Sequence, residues 1–325
     1  MARRSGVSEV RDGVELTNLD QPLFEGSGAA KRQFVDYLDG VRERLLPVLR
    51  DRPLSVIRST GDQAPFMQKN VPKYTPDWVA TVALWAEASK RTVKYALCND
   101  RRTLLWFANQ RAIEYHPTLG LADRLDHATH LVLDLDPPSA EDGFGRAVAA
   151  ALLVRQALAD LGLEGAVKTS GAKGVHVFVP ITAHASMEDA AAATRAIARR
   201  AEQHDSSTAT TAFLKSDREG KVFVDATRTG GATVVSAYSP RARPGVPVSF
   251  PLSWDELEHV VPTDFTIETA LDRLGDADPW AEAMPSPQRL SADLVAEGHE
   301  IPVARVAAMH EGKRRKRAAE KSPEK

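Results

Sequence analysis

Two acidic residues at the end of an apolar run are the sharpest chemical feature of the sequence. In HLVLDLD, Asp134 and Asp136 are separated by one residue and followed by two prolines. Side chains two apart on a strand share a face, so both carboxylates point the same way. They repel each other unless a positive group neutralises them, and a hard divalent cation is the usual partner. The pattern is short, and a solvated strand edge explains a bare DxD equally well.

A third carboxylate strengthens the metal interpretation. Asp225 follows the apolar run Val222–Val224, so it stands at or near the end of another predicted strand. Three carboxylates can hold two metal ions about 4 Å apart, which activates an attacking oxygen and stabilises a leaving one. Their positions in the chain do not establish that they converge. Alone, they predict metal-assisted phosphoryl transfer without naming a substrate.

The segment TSGAKGVH, residues 169–176, offers complementary charge. Its glycines let the backbone approach a phosphate, Ser170 and backbone N–H groups can donate to it, and Lys173 and His176 add cationic or donor partners. Taken alone, the segment is also explained by an ordinary tight hairpin with a solvated lysine.

Three arginines follow the Asp225 run: Arg228, Arg241 and Arg243. An arginine cluster by itself usually forms a solvated face. Here it lies beside an acid-bearing strand in the sequence. Negatively charged metal ligands with nearby phosphate-binding cations are what nucleotidyl transfer requires.

Hydrophobic periodicity predicts the elements that must position these residues. A helix is expected after Ser27, because Leu38, Val41 and Leu45 recur at helical spacing, and Asn99-Asp100 predicts a turn. Strands are predicted at 54–58, 78–84, 92–97, 112–116, 130–136, 221–227 and 232–239, with two short ones inside 166–179. Further helices are predicted at 144–161, 187–202, 254–257 and 266–274. Without strict βαβ alternation, this order favours an α+β fold. The absence of GxGxxG after a strand and of GxxxxGK[ST] leaves dinucleotide and P-loop sites unsupported.

Composition sets broad limits. The 325 residues are 43% hydrophobic and 26% charged, as in ordinary globular proteins. A single cysteine, Cys98, excludes a disulfide framework and a cysteine-rich zinc site. No apolar stretch approaches the roughly 20 residues of a membrane span, and the N-terminus lacks a signal-peptide core. A cytoplasmic protein without membrane association is therefore expected. The net charge is −2, and the basic tail 313–325 is expected to be solvated and disordered.

Several motifs occur in a recognisable order. They are HLVLDLDPP, TSGAKGVHVFVP, KVFVDAT and AYSPRARPGVPVSFPLSWDEL, preceded in the N-terminal half by LTNLDQPLF, AAKRQFVDYL, RPLSVIR, PFMQKN and LLWFANQRAIEYHP. Together they closely resemble the polymerase domain of bacterial ligase D, a member of the archaeo-eukaryotic primase superfamily. The resemblance covers residues 15–285. Because it rests on many ordered motifs, it is far more specific than any one of them.

The resemblance implies a primase-polymerase-like α+β fold. Its central mixed or antiparallel sheet forms the catalytic core, is flanked by helices, and carries an N-terminal α/β portion packed on it. The expected organisation is an N-terminal tail at 1–14, the polymerase domain at 15–285, and a C-terminal extension with a basic tail at 286–325.

The resemblance also implies roles at the reaction centre. Asp134, Asp136 and Asp225 match the catalytic metal-binding acids. The matching nucleotide-binding residues are His116, Ser170, Lys173, His176, Arg241 and Arg243. Two Mn²⁺ or Mg²⁺ ions are the implied cofactors. Without the match, a structural histidine would be the better interpretation of His116.

Four residues match positions that the family uses on DNA. Lys31 and Arg58 resemble phosphate contacts, with Lys31 at a recessed 5′ end. Phe66 falls where an aromatic stacks on a template base, although a core phenylalanine explains it almost as well. Lys69 is the weaker fourth candidate.

The chain departs from its relatives at several positions. Gln21 stands where they usually carry a lysine of the 5′-phosphate pocket, so Lys31 would act alone there. Ala226 and Thr229 replace an aromatic and an asparagine, and Met67 replaces a second aromatic. Gap and end recognition are affected by these changes, whereas the metal site is not. The chain also lacks a Lys-x-Asp-Gly ligase motif, so a stand-alone relative of the polymerase module is expected.

Three functions compete. The leading hypothesis is a nucleotidyltransferase that adds NTPs or dNTPs, with ribonucleotides favoured by resemblance, at gaps or broken DNA ends. It would act at the bacterial nucleoid, in non-homologous end joining or gap filling. The alternative is a non-catalytic module that bridges DNA ends for Ku and a separate DNA ligase, which leaves three carboxylates facing phosphates without a purpose. An unrelated metal-dependent phosphohydrolase leaves SGAKGVH and RARPG without a role.

Overall fold

A computed structural model describes residues 6–60, 64–86, 90–139, 142–231 and 233–303. These residues form two compact units, each built from separate stretches of the chain. Unit 1 takes its residues from Met1–Asp126, Ala166–Lys173 and Gly231–Met284, and unit 2 from His127–Gly165, Gly174–Gly230 and Pro285–Lys325. The basic tail 313–325 lies outside the described residues.

The strands in chain order are β1 (Glu9–Arg11), β2 (Val14–Leu16), β3 (Leu54–Arg58), β4 (Phe66–Gln68), β5 (Thr81–Ala86), β6 (Arg91–Ala96), β7 (Ala112–Pro117), β8 (His130–Asp136), β9 (Ala166–Thr169), β10 (Val175–Pro180), β11 (Ala209–Thr210), β12 (Val222–Asp225) and β13 (Pro251–Leu252). The α-helices are α1 (Lys31–Leu49), α2 (Arg101–Asn109), α3 (Gly143–Asp160), α4 (Met187–His204), α5 (Ala270–Leu274), α6 (Pro279–Ala283) and α7 (Ala292–Glu300).

Unit 1 contains an antiparallel sheet in the order β4-β3-β6-β5, in which β7 also pairs with β3. The β1–β2 hairpin and the antiparallel β9–β13 pair belong to the same unit. Helix α1 buries Phe34, Leu38, Val41 and Leu45 at the helical spacing that the sequence predicts. The sheet and helix give unit 1 its own apolar core.

Unit 2 is organised around β8. This strand pairs antiparallel with β10 on one side and with β12 on the other, and β11 runs parallel to β12. Leu131, Val132, Leu133 and Leu135 of β8 are all buried, so the strand is a continuous apolar run up to its acidic end. Helices α3 and α4 pack on these strands, and α7 packs on α4. The acids of β8 are therefore carried by a rigid central strand.

The α+β class is confirmed, since antiparallel and parallel pairs are mixed with helices that do not alternate with strands. The strand predicted at 232–239 is wrong for the described residues 233–239, which form no strand. Tyr238 has a φ of +65°, and its N–H bonds to the carbonyl of Ser249, so the segment leaves the extended conformation. A 3₁₀ turn at Leu257–His259 replaces the helix predicted at 254–257, and the helix predicted at 266–274 is present but shorter, as α5.

Helix α2 has no counterpart among the predicted elements. Asp100, assigned to a turn, caps this helix by accepting a hydrogen bond from the Thr103 N–H at 2.7 Å. Among the described residues, no helix is long and apolar enough to cross a membrane.

Candidate metal centre and nucleotide-binding groups

The three predicted metal-binding acids converge in unit 2. Asp225 of β12 is paired with Asp134 of β8 in the antiparallel register, and Asp136 lies two residues further along β8. One carboxylate oxygen from each residue lies within 4.8 Å of the others. Asp134 and Asp225 are buried, whereas Asp136 is exposed. Strand pairing thus brings together two acids, Asp134 and Asp225, that are 91 residues apart in the chain.

Two basic residues surround Asp134. His176 of β10 is its cross-strand partner on the other side, with 3.2 Å between His176 Nε2 and Asp134 Oδ1. Arg228 Nε lies 3.0 Å from Asp134 Oδ2 and 3.3 Å from Asp225 Oδ2. The Thr227 N–H donates to Asp225 Oδ1 at 2.8 Å. These contacts hold two of the three carboxylates in fixed positions.

The acids differ sharply in protonation. Burial would raise the pKa of Asp134, but the charges and hydrogen bonds of His176 and Arg228 outweigh it and hold the pKa below its ordinary value. Although the Asp136 side chain as a whole is exposed, the surrounding protein removes part of the water from its carboxyl, and this desolvation and the charge of Asp134 raise the pKa of Asp136 to about 6. The cluster therefore carries unfavourable negative charge at Asp136, which a cation would relieve. An all-oxygen donor set with this repulsion fits Mg²⁺ or Mn²⁺.

The predicted phosphate-binding turn begins in unit 1. Ser170 is buried, and its Oγ accepts a hydrogen bond from the Ala172 N–H at 3.2 Å. Gly171 has a φ of +66°, and an added Cβ would lie 2.7 Å from Arg241 Cγ and 2.9 Å from Ser249 N. Only glycine fits this position without strain. Lys173 follows with an exposed side chain.

Arg241 is tied to the turn and to a buried carboxylate. Its Nη1 donates to the Ser170 carbonyl, and its Nε lies 3.1 Å from Glu114 Oε2. Glu114 is 6% exposed and also contacts His116 Nε2 at 2.9 Å. Arg243, two residues along the same loop, is exposed. Unit 1 thus joins His116, Ser170 and Arg241 through Glu114 and the turn.

Lys31 lies in a different setting from a surface phosphate ligand. It is 2% exposed, and its Nζ donates to the Thr17 carbonyl at 2.7 Å and to Asn109 Oδ1 at 2.6 Å. Burial and the nearby charge of Arg111 lower its pKa to about 8. Arg111 itself donates to Gln21 Oε1 at 3.0 Å. One N–H of the Lys31 ammonium is left beyond the two bonds described.

Arg58 is engaged in an internal network. It donates to the Gln110 carbonyl and side chain at 2.8 and 2.9 Å, and to Tyr74 Oη at 2.8 Å. Phe66 pairs with Arg58 across β3 and β4 and is 39% exposed, so it is not a core phenylalanine. Lys69 is exposed just beyond β4. A protruding aromatic beside a cation is compatible with base stacking.

Sequence reasoning missed Glu114 and did not predict the contacts of Arg228. Arg228 was one of a group of arginines, but nothing in its spacing placed it against Asp134 and Asp225. Glu114 had an available signal, since it is two residues before His116 on β7 and therefore shares its face.

Comparison with known proteins shows the family to which the chain belongs. The sequence profile described as "LigD, primase-polymerase domain" matches residues 30–280. The chain belongs to this family. It is thereby a nucleotidyltransferase of the polymerase type. Among solved structures, the LigD polymerase domain of Mycobacterium tuberculosis, described in complex with DNA, superposes with a TM-score of 0.75 at 31% identity. That match covers 83% of this chain and 97% of the other.

Curated LigD proteins give the same family. The bifunctional non-homologous end joining protein LigD of Bacillus subtilis is 34% identical over 271 residues, which cover 82% of this chain and 43% of that protein. The multifunctional LigD of Mycolicibacterium smegmatis is 31% identical over 288 residues, covering 85% of this chain and 36% of that protein. The chain thus spans about two fifths of the length of these relatives.

Proposed function

We propose that the protein is a metal-dependent polymerase that adds nucleotides, with ribonucleotides preferred, to 3′ ends at gaps or double-strand breaks in bacterial DNA. Non-homologous end joining or gap filling is the repair process. The convergence of Asp134, Asp136 and Asp225 on paired strands carries the proposal, because a pure binding module gains nothing from three neighbouring carboxylates. The names of the LigD relatives support the repair process.

Two Mn²⁺ or Mg²⁺ ions are the proposed cofactors, held by Asp134, Asp136 and Asp225. When bound, such ions make a 3′-hydroxyl more acidic and stabilise the charge of the triphosphate and of the departing pyrophosphate. His176 and Arg228 keep Asp134 ionised, so that it is ready to bind a cation at neutral pH. Asp136 gives up its proton above pH 6 and completes the donor set.

The nucleotide phosphates are the proposed partners of Ser170, Lys173, His176, Arg241 and Arg243. Gly171 lets backbone N–H groups approach a polyanion, and the bond from Arg241 to the Ser170 carbonyl holds the turn in shape. Fixed donors need no rearrangement when the phosphate charge shifts during transfer, and this lowers the barrier to the reaction.

DNA is the proposed second substrate. Phe66 and Lys69 offer an exposed aromatic and a cation for the template strand. Arg58, which donates to Gln68 Oε1 of β4 at 3.2 Å, is the proposed phosphate contact beside them. Lys31 has one N–H left for a 5′-phosphate at a gap. Ku and a separate DNA ligase are proposed partners, in keeping with the end-joining names of the longer relatives.

A gap-filling assay tests the proposal. A labelled primer–template with a short gap and a downstream 5′-phosphate would be incubated with each NTP and dNTP and with Mg²⁺ or Mn²⁺. The wild type would be compared with Asp134→Ala/Asp136→Ala. We expect metal-dependent addition that the double substitution abolishes, and more product from NTPs than from dNTPs.

The same assay distinguishes a polymerase from the alternative, a non-catalytic module that bridges DNA ends. DNA binding without addition under any metal or nucleotide condition would contradict the polymerase proposal and leave a DNA-end-bridging module. Addition without the two aspartates would show that the metal centre has been assigned to the wrong residues.

A further inference from the structure

Glu114 is a buried carboxylate at the centre of the nucleotide-binding groups of unit 1. It accepts a hydrogen bond from the Ala242 N–H at 2.9 Å through Oε1, and Oε2 contacts His116 Nε2 at 2.9 Å and Arg241 Nε at 3.1 Å. Burial would raise its pKa, but the bond from His116 and the charge of Arg241 outweigh burial and lower the pKa to about 2. Glu114 is therefore an ionised, acceptor-only group at any physiological pH.

The carboxylate fixes which ring nitrogen of His116 carries a proton. An ionised carboxylate can only accept, so His116 Nε2 must be the donor in the 2.9 Å contact. In the neutral ring the other nitrogen, Nδ1, then has a lone pair and no proton. Within the part of the chain that the structure describes, Glu114 is the hydrogen-bond partner of the ring. Nδ1 is thus an acceptor still to be paired.

The surroundings favour the neutral ring. The His116 side chain is only 12% exposed, and burial lowers its pKa more than the bond to Glu114 raises it. The positive charges of Arg241 and Lys168 lower it further. A phosphate oxygen is itself an acceptor and cannot pair with an unprotonated Nδ1. A hydroxyl can, because it supplies the proton.

We propose that Glu114 holds His116 so that Nδ1 accepts a hydrogen bond from a ribose hydroxyl of the incoming nucleotide. His116 is then a specificity-determining residue and Glu114 its positioning residue. The inference rests on the polymerase function proposed above. In this arrangement Arg241 and the Ser170 turn bind the phosphates, whereas His116 binds the ribose.

Single-nucleotide incorporation with matched nucleotides tests this division. The kcat/KM of a ribonucleotide would be compared with that of its 2′-deoxy and 3′-deoxy forms, which identify the hydroxyl involved. One neutral hydrogen bond corresponds to a preference of about 2- to 10-fold. We expect His116→Phe to lower kcat/KM for the hydroxyl-bearing nucleotide by that factor. The kcat/KM of the deoxy form that lacks the recognised hydroxyl should be unchanged. Glu114→Gln should lower the ratio of kcat/KM between the hydroxyl-bearing and the deoxy nucleotide. The glutamine amide can donate to an unprotonated Nε2 as well as accept from a protonated one, so it also stabilises the opposite tautomer.

Arg241→Lys is the matched control. Arg241 contacts Glu114 but is proposed to bind phosphate, which all three nucleotides share. Arg241→Lys should therefore lower kcat/KM for the three nucleotides by the same factor and leave the ratios between them unchanged. A ratio unchanged in both His116→Phe and Glu114→Gln would overturn the inference. A wild type that incorporates none of the nucleotides would instead contradict the polymerase proposal.

The tautomer of His116 in the wild-type protein can be measured by a method that depends on no variant. The ¹⁵N spectrum of ring-labelled histidine in the wild-type protein distinguishes a protonated Nε2 from a protonated Nδ1. We expect the Nε2–H tautomer for His116 in the wild type and a mixture in Glu114→Gln. A wild-type ring that carries its proton on Nδ1, or on both nitrogens at neutral pH, would refute the proposed acceptor.

Discussion

Asp225 stands directly opposite Asp134 in the antiparallel pairing of β12 with β8. Neighbouring cross-strand carboxylates repel each other, and both acids are buried. Arg228 lies 3.0 Å from one and 3.3 Å from the other, so a single guanidinium offsets both charges. Substitutions of Arg228 or of the acids should therefore change the Tm of the protein by different amounts with and without a bound cation.

Replacing Arg228 with methionine should destabilise the metal-free protein. The two carboxylates would lose their shared counter-ion while the apolar part of the side chain is kept. We expect the Tm in EDTA to fall by about 2–6 °C, the shift that roughly 1–2 kcal/mol produces in a domain of this size. Added Mn²⁺ should restore most of the loss, because the metal supplies the missing positive charge. Equal losses with and without metal would show that Arg228 acts through packing alone.

Asp136→Asn should have the opposite effect. Because the pKa of Asp136 is raised to about 6, the folded state keeps its proton where the unfolded state has lost it. Stability therefore falls as pH rises from about 4 to 6, and the penalty persists above that window. Asparagine removes the penalty, so the metal-free variant should melt higher than the wild type at pH 7.5 and equally at pH 4. The stabilisation by Mn²⁺ should be lost in the same protein.

Asp134→Asn is the matched control for this experiment. The pKa of Asp134 is lowered by His176 and Arg228, so its contribution to stability is present at neutral pH and lost as pH falls below its ordinary range. This variant should melt lower than the wild type at pH 7.5. If both variants shifted Tm in the same direction, the opposite electrostatic settings of the two acids would be wrong.

The strands that carry the metal acids, and the helix α3 that packs on them, could be predicted from the sequence because each has a single clear pattern. HLVLDLD is apolar until its acidic end and forms β8, and residues 144–161 have helical apolar spacing and form α3. The segment 232–239 shows where such reasoning fails. Its apolar residues are buried, as a strand's would be, but the backbone N–H groups of the segment bond to separate partners: that of Ser236 to the Tyr115 carbonyl and that of Tyr238 to the Ser249 carbonyl.

In the candidate site too, residue types could be predicted from the sequence, whereas their contacts could not. The acids were identified by residue type and by family motifs, whereas their convergence depends on the register of β12 against β8, which only the fold reveals. Lys31 illustrates the limit of motif matching. The motif identifies a lysine, but burial and the bonds to Thr17 and Asn109 depend on long-range packing.

Gly171→Ala should disable the phosphate-binding turn. The new Cβ would lie 2.7–2.9 Å from Arg241 and from the Val248 and Ser249 backbone, at a φ of +66°. Gly162 has a similar φ of +64° with open space around it, so Gly162→Ala isolates the conformational cost, about 1 kcal/mol. We expect Gly171→Ala to lower Tm more than Gly162→Ala and, unlike it, to raise the KM for NTP. Indistinguishable KM values would argue against nucleotide binding by this turn.

Lys31 gives a prediction for DNA that can be measured through pH. Its ammonium has one donor left, and its pKa of about 8 lies within an accessible range. Because deprotonation removes the charge, any preference for a gap with a 5′-phosphate over one with a 5′-hydroxyl should be greatest near pH 7 and fade as pH rises through 8. One charge-assisted hydrogen bond corresponds to roughly 10-fold in Kd at low salt.

Fluorescence anisotropy with both gapped DNAs would measure the ratio of their Kd values from pH 6.5 to 9.5. Lys31→Met should give a ratio near one that does not change with pH, while Lys69→Met should weaken both DNAs and keep the wild-type profile. A pH-independent preference that survives in Lys31→Met would move the 5′-phosphate contact to another residue.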